Sequence, residues 1–112
     1  MKGEMTLGSV PMANKRDRQR WLVQHIQKTG RADVLDVPFV DAYVDANHVA
    51  FRPCAWGANK CATLGRDLAA LEKMGALKRF RIGLGGNWAP GFPRWVWSYE
   101  IGTNGHFLHA SK

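Results

Sequence analysis

Acidic side chains are scarce in this chain. Nine Asp and Glu stand against sixteen Lys and Arg over 112 residues, for a formal net charge of +7 and an isoelectric point near 9.9. A protein so basic is suited to a polyanionic partner. Cysteine is nearly absent too: Cys54 and Cys61 alone cannot make a disulfide framework, and a reducing compartment keeps such residues as thiols. With His48 upstream, their spacing matches no paired-ligand zinc pattern, so they read as ordinary, partly buried cysteines and no metal is expected. No apolar run reaches the ~20 residues that a membrane span needs. The N-terminus carries Lys2 but no apolar stretch with a cleavage site, so secretion is not indicated and a cytoplasmic location is expected. Catalytic patterns are missing: there is no glycine-bracketed serine, no histidine pair at helical spacing and no phosphate-cradling loop with its lysine. No enzyme and no cofactor are expected.

What the chain does have is one long organised stretch, from Asn59 to Ile101. Cys61, Leu64, Leu68 and Leu71 recur at spacings of three and four, which gives a helix an apolar stripe. Asn59, Thr63, Arg66, Ala70 and Lys73 repeat with the same spacing on the opposite face, leaving it two cations and small groups. Gly75 stands where a left-handed cap would end the helix, a conformation glycine enters without a side-chain clash. Leu77 to Gly83 and Arg94 to Ile101 then alternate in twos, rich in aromatic and branched residues, around a glycine and proline loop. They read as a two-stranded hairpin. The loop from Gly83 to Pro93 is not a dinucleotide-binding glycine motif, because Trp88 stands where that motif needs glycine and strands flank both sides.

Upstream, helix 1 is expected from Asn14, an acceptable N-cap, to about Thr29 before Gly30, with Trp21, Leu22, His25 and Ile26 inward. His25 reads as a packed core histidine. A second helix begins after Asp36, with Pro38 in its first turn and Val37, Val40 and Val44 on its apolar side beside Phe39 and Tyr43. Charge is distributed in blocks. Residues 15–31 carry +5, residues 32–58 carry −3 and residues 59–94 carry +5. The first block, Lys15, Arg16, Arg18, Arg20, Lys28 and Arg31, is either a phosphate grip or a solvated helix face. Residues 1–14 form a flexible arm, 15–102 one domain and 103–112 a tail in which Phe107 and Leu108 can dock on the body or on a second subunit. Met12 would itself make a start.

Arg66-Asp-Leu68, Leu71-Glu72, Gly75-Ala-Leu-Lys-Arg79 and the strand from Trp95 to Tyr99, taken in order, resemble the recognition helix and wing of the winged helix-turn-helix family in its bacterial transcription-regulator form. The resemblance implies an α+β fold, a three-helix winged helix-turn-helix with a C-terminal β-hairpin wing. It implies a small transcriptional regulator, of phage or plasmid type on the basis of its short chain, that binds double-stranded DNA, often as a homodimer on two half-sites. The third helix would then enter the major groove, with Asn59, Thr63 and Arg66 on base edges. Lys60, Lys73, Lys78, Arg79 and Arg81 would meet phosphates, and Asn87, Trp88 and Arg94 would belong to the wing. The protein would be nucleoid-associated when bound. The family pattern fits worst at residues 48–58, where a turn of three or four residues is normal; that segment holds either the first strand of the sheet, at 49–52, or a projecting loop.

Two other functions stay open on the sequence. One is a winged-helix protein-interaction module that uses the tryptophan-rich hairpin and the acidic second helix, which would leave a sizeable apolar patch exposed. The other is an RNA or single-strand binder that stacks bases on Trp88, Trp95 or Trp97. Trp88 and Phe92 could also fold back on the hairpin as a lid.

Overall fold

The computed structural model describes residues 11–54, 57–85 and 93–102. They form an α+β fold of three helices and a three-stranded antiparallel sheet. Helix α1 spans Lys15–Thr29. It starts at Asn14, whose side-chain oxygen accepts a 2.8 Å hydrogen bond from the Asp17 N–H, and stops at Gly30, which turns to φ 98° while its N–H reaches the Ile26 carbonyl. That conformation has room for glycine and little else. Immediately after it, β1, Ala32–Asp33, enters the sheet. Asp33 ends the strand by accepting the Leu35 N–H with its own side chain at 2.9 Å, the aspartate turn that mimics a backbone turn.

Helix α2, Val37–Asn47, carries its proline near the start, where a missing N–H costs nothing. It buries Phe39, Val40, Tyr43 and Val44, whereas Val37 stays exposed and off the apolar side expected for it. Helix α3, Ala62–Lys73, buries Leu64, Leu68 and Leu71. Its end is closed by Gly75 at φ 85° and by the Ala76 N–H reaching back to the Leu71 carbonyl at 3.0 Å, the Schellman arrangement. Strands β2, Leu77–Gly83, and β3, Trp95–Ile101, follow as a hairpin paired from Leu77 opposite Ile101 to Gly83 opposite Trp95. β3 is central, because β1 adds to its other edge with Ala32 opposite Tyr99 and Asp33 opposite Ser98. The core gathers Leu22, Val23 and Ile26 of α1, Val40 and Tyr43 of α2, the leucines of α3, and Leu77 and Tyr99 of the sheet. No helix among the described residues is long and apolar enough to cross a membrane.

Three further expectations change. The strand that joins the hairpin is Ala32–Asp33, and residues 49–52 are not part of the sheet: Arg52 instead pairs with Lys60, each accepting the other's N–H at 2.8 Å. That pairing keeps the backbone extended through Cys61, at φ −136° and ψ 102°. Asn59 and Lys60 therefore precede α3 and do not continue its outer face. The end of the supposed arm is also anchored, with the Ala13 N–H on the Asn47 carbonyl at 2.9 Å. The rest of the arm, the wing tip with Asn87, Trp88 and Phe92, and the tail with Phe107 and Leu108 lie outside the described residues.

Candidate nucleic-acid interface

A buried ion pair sets the orientation of α3. Asp67 sits three residues after Leu64 and four before Leu71, on the apolar stripe itself, and is 3% exposed. Its carboxylate receives Arg18 Nε at 2.8 Å and Nη2 at 3.2 Å, and the Tyr43 hydroxyl at 2.6 Å. One carboxylate thus ties together all three helices. Arg18 directs its remaining Nη1 to the Ala13 carbonyl at 2.7 Å. The Asp67 hydrogen bond raises the Arg18 pKa above its ordinary value. Burial, followed by the adjacent Asp67, pushes the Tyr43 hydroxyl far up, so it remains a donor. Neither role follows from the sequence reading above, in which the block containing Arg18 is either a phosphate grip or a solvated helix face. The signal was there in the helical spacing, which puts Asp67 among the leucines and Arg18 four residues before Leu22.

Burying that carboxylate decides the charge of the outer face of α3. Its exposed charged side chains are Arg66 and Lys73, and Gly65, Ala62 and Ala69 lie exposed beside them. Arg66 touches Thr63, Nη2 to Oγ1 at 3.4 Å, so these two expected base-edge residues are brought together. Asn59 lines the same cleft as these two but donates its amide to Asp41 of α2 at 3.4 Å. Lys60 is exposed at the mouth of a cleft of 680 Å³ that also borders Arg52, Thr63 and Arg66. Cys61 lines the same cleft, and burial raises its thiol pKa. The described residues contain no group of three His, Cys, Asp or Glu that could hold a metal.

The hairpin supplies a second surface. The face that covers the core at Leu77 and Tyr99 continues outward as Arg79, Arg81, Trp97 and Trp95, since side chains alternate across a strand and Arg81 lies opposite Trp97. The Arg79 guanidinium lies 4.2 Å from the centre of the Trp97 ring, and that of Arg81 5.1 Å from that of Trp95. The two indoles meet edge to face at 5.1 Å. Cation–π contacts of this kind hold a guanidinium in place while its N–H edges remain free to donate. Lys78 projects from the opposite face toward Glu100, at 3.9 Å, and does not join this array. Arg94 is exposed at the base of the wing.

Val34 and Leu35 connect the two surfaces. They wall the cleft at the start of α3 and also a groove of 340 Å³ along Trp95, Val96 and Trp97. The one turn therefore borders the cleft with Thr63 and Arg66 and the groove with Trp95 and Trp97, the indoles of the ladder. Comparisons with protein-family models, with characterised proteins and with solved structures found no match to this chain.

Proposed function

We propose that this protein binds double-stranded DNA as a small transcriptional regulator. The start of α3 addresses the major groove and the β2–β3 wing lies along the adjoining backbone. The observation that carries this reading is that the Val34–Leu35 turn borders both the cleft with Arg66 and the groove along Trp95 and Trp97, the two indoles that hold Arg81 and Arg79, with the one acid at the middle of α3 withdrawn into the core. The element order, with a short strand after α1 added to β3, is compatible with the winged-helix layout.

In this reading Arg66 donates two hydrogen bonds to a guanine edge, with Thr63 beside it. Small exposed residues at Ala62, Gly65 and Ala69 allow the helix to lie close to the bases. Lys60, Lys73, Arg79 and Arg81 neutralise phosphates and supply most of the affinity through released counterions. Asn59 would reach DNA only by leaving Asp41, and Lys78 only from the far side of the wing.

The edge-to-face indoles and the exposure of Trp95 favour a second reading, in which single-stranded nucleic acid stacks on the hairpin. Fluorescence anisotropy separates the two. A labelled random duplex of about three helical turns (~30 base pairs) and its matching single strand are titrated over a salt series. Tighter binding to duplex, falling steeply with salt, supports the first reading. Preference for the single strand with quenched tryptophan emission supports the second, and absence of both at low salt discards both.

A further inference from the structure

The cleft at the start of α3 has chemistry of its own. Arg52 and Lys60 form a hydrogen-bonded antiparallel pair, N–H to carbonyl at 2.8 Å in each direction. Residues so paired project side by side, roughly 5.5 Å apart at Cβ, and like charges there repel. Both side chains are exposed, and neither has an acidic partner among the described residues. Arg66 lines the same cleft. None of the described lining residues is acidic, and the apolar part of the lining includes Val34, Phe51, Leu64 and the two cysteines. At 680 Å³ the space falls within the range of about 300–1,000 Å³ typical of small-ligand sites. The first turn of α3 opens onto it without an acidic residue and without a side-chain cap from Cys61, so the backbone N–H groups add to the positive potential.

We infer that this cleft binds a small organic anion with a planar apolar body, of the aromatic carboxylate class. Its carboxylate relieves the Arg52–Lys60 repulsion, and its ring lies against Phe51 and Leu64. Because Lys60, Thr63 and Arg66 are shared with the groove-facing surface, the anion and a duplex exclude one another. That competition rests on the DNA reading above, whereas the site itself does not.

The test uses 2-naphthoate as the probe, with 2-naphthylmethanol and inorganic phosphate as controls, and follows backbone amide signals of the full chain by NMR. Naphthoate is expected to shift Arg52, Lys60, Ala62 and Thr63 saturably, and each control to bind about tenfold or more weakly. Arg52→Glu places an opposite charge beside Lys60, so the fold is kept while the anion's position is taken; its affinity for naphthoate should fall about tenfold or more, the worth of a charge-assisted contact. Shifts confined to Trp95 and Trp97, equal binding of a control, or indifference to Arg52→Glu would overturn the site. Duplex anisotropy with and without saturating naphthoate then tests competition. Naphthoate bound in a protein that ignores duplex sinks the DNA reading and keeps the cleft. Duplex bound in a protein whose cleft amides never move does the reverse, and simultaneous binding of both overturns the exclusion.

Discussion

Arg18 and Asp67, forty-nine residues apart in the chain, meet in a two-pronged ion pair whose side chains are 10% and 4% exposed. Breaking such a pair from one side leaves an uncompensated buried charge. Asp67→Ala is expected to cost about 3–5 kcal/mol of folding stability, and Arg18→Met with Asp67→Leu together much less than the sum of the two single changes. Urea unfolding of Asp67→Ala, of Arg18→Met and Asp67→Leu singly, and of the double variant checks this. Additive losses would mean that the pair is not a unit.

Tyr43→Phe removes only the 2.6 Å hydroxyl contact with Asp67 and keeps the ring in the core. A loss of about 1.5–3 kcal/mol, appropriate to a hydrogen bond on a charged acceptor, should appear in the same experiment.

His25 stacks on Trp21, with ring centres 4.7 Å apart, and meets Phe39. Burial lowers its pKa below the ordinary 6.5, Lys28 adds to the shift and Asp36 opposes it. The unfolded chain therefore takes up this proton first. Stability should fall as pH drops below 6.5 toward the folded-state value, and this residue should contribute no slope above 6.5. His25→Phe, which keeps an aromatic ring in the stack, should flatten the wild-type dependence in that window when unfolding is followed from neutral to mildly acidic pH.

Two glycine-to-alanine changes should have opposite signs. At Gly102 an added Cβ would stand 2.5 Å from the Gly75 carbonyl oxygen and 3.0 Å from the Leu77 carbonyl carbon, both backbone, so the end of β3 must shift, at about 1–3 kcal/mol. At Gly65 nothing lies within 4 Å, and alanine should stabilise α3 by about 0.5–1 kcal/mol. If the face of α3 enters a groove, Gly65→Ala should melt higher yet bind duplex more weakly. Unchanged binding would place this face away from DNA.

Within the DNA reading, Arg66→Ala should cost about 1–3 kcal/mol and relax preference at one base position, whereas Arg81→Ala should weaken all duplexes alike and lower the salt slope by about one. Anisotropy over a salt series with selected and random duplexes distinguishes the two behaviours. Equal effects from both residues would remove Arg66 from the base-reading role.

Much of the frame was legible because its signals are local. Asn14 and Gly30 bracket α1, Gly75 ends α3, and alternation marks β2 and β3 to within a residue. What escaped was set by distant pairing. The Arg52–Lys60 bridge holds residues 59–61 extended against their helical spacing, and the two-residue β1 is too short to show a period. Charge misled for a related reason, since Arg18 looks like its exposed neighbours until Asp67 is placed 2.8 Å away. The arginine–tryptophan ladder is implicit in strand alternation, but its pairing depends on register.

Strand β3 has neighbours on both edges only at Ser98 and Tyr99. Toward Trp95 it is bordered on one side by β2, and on the other, among the described residues, by no strand. Resistance to opening must therefore be graded along its length. Amide exchange should be slowest near Tyr99 and quicken stepwise toward Trp95. The Ala32–Tyr99 pairing is thus the fixed end of the strand, and Trp95, with Arg81 against its ring, lies furthest from it.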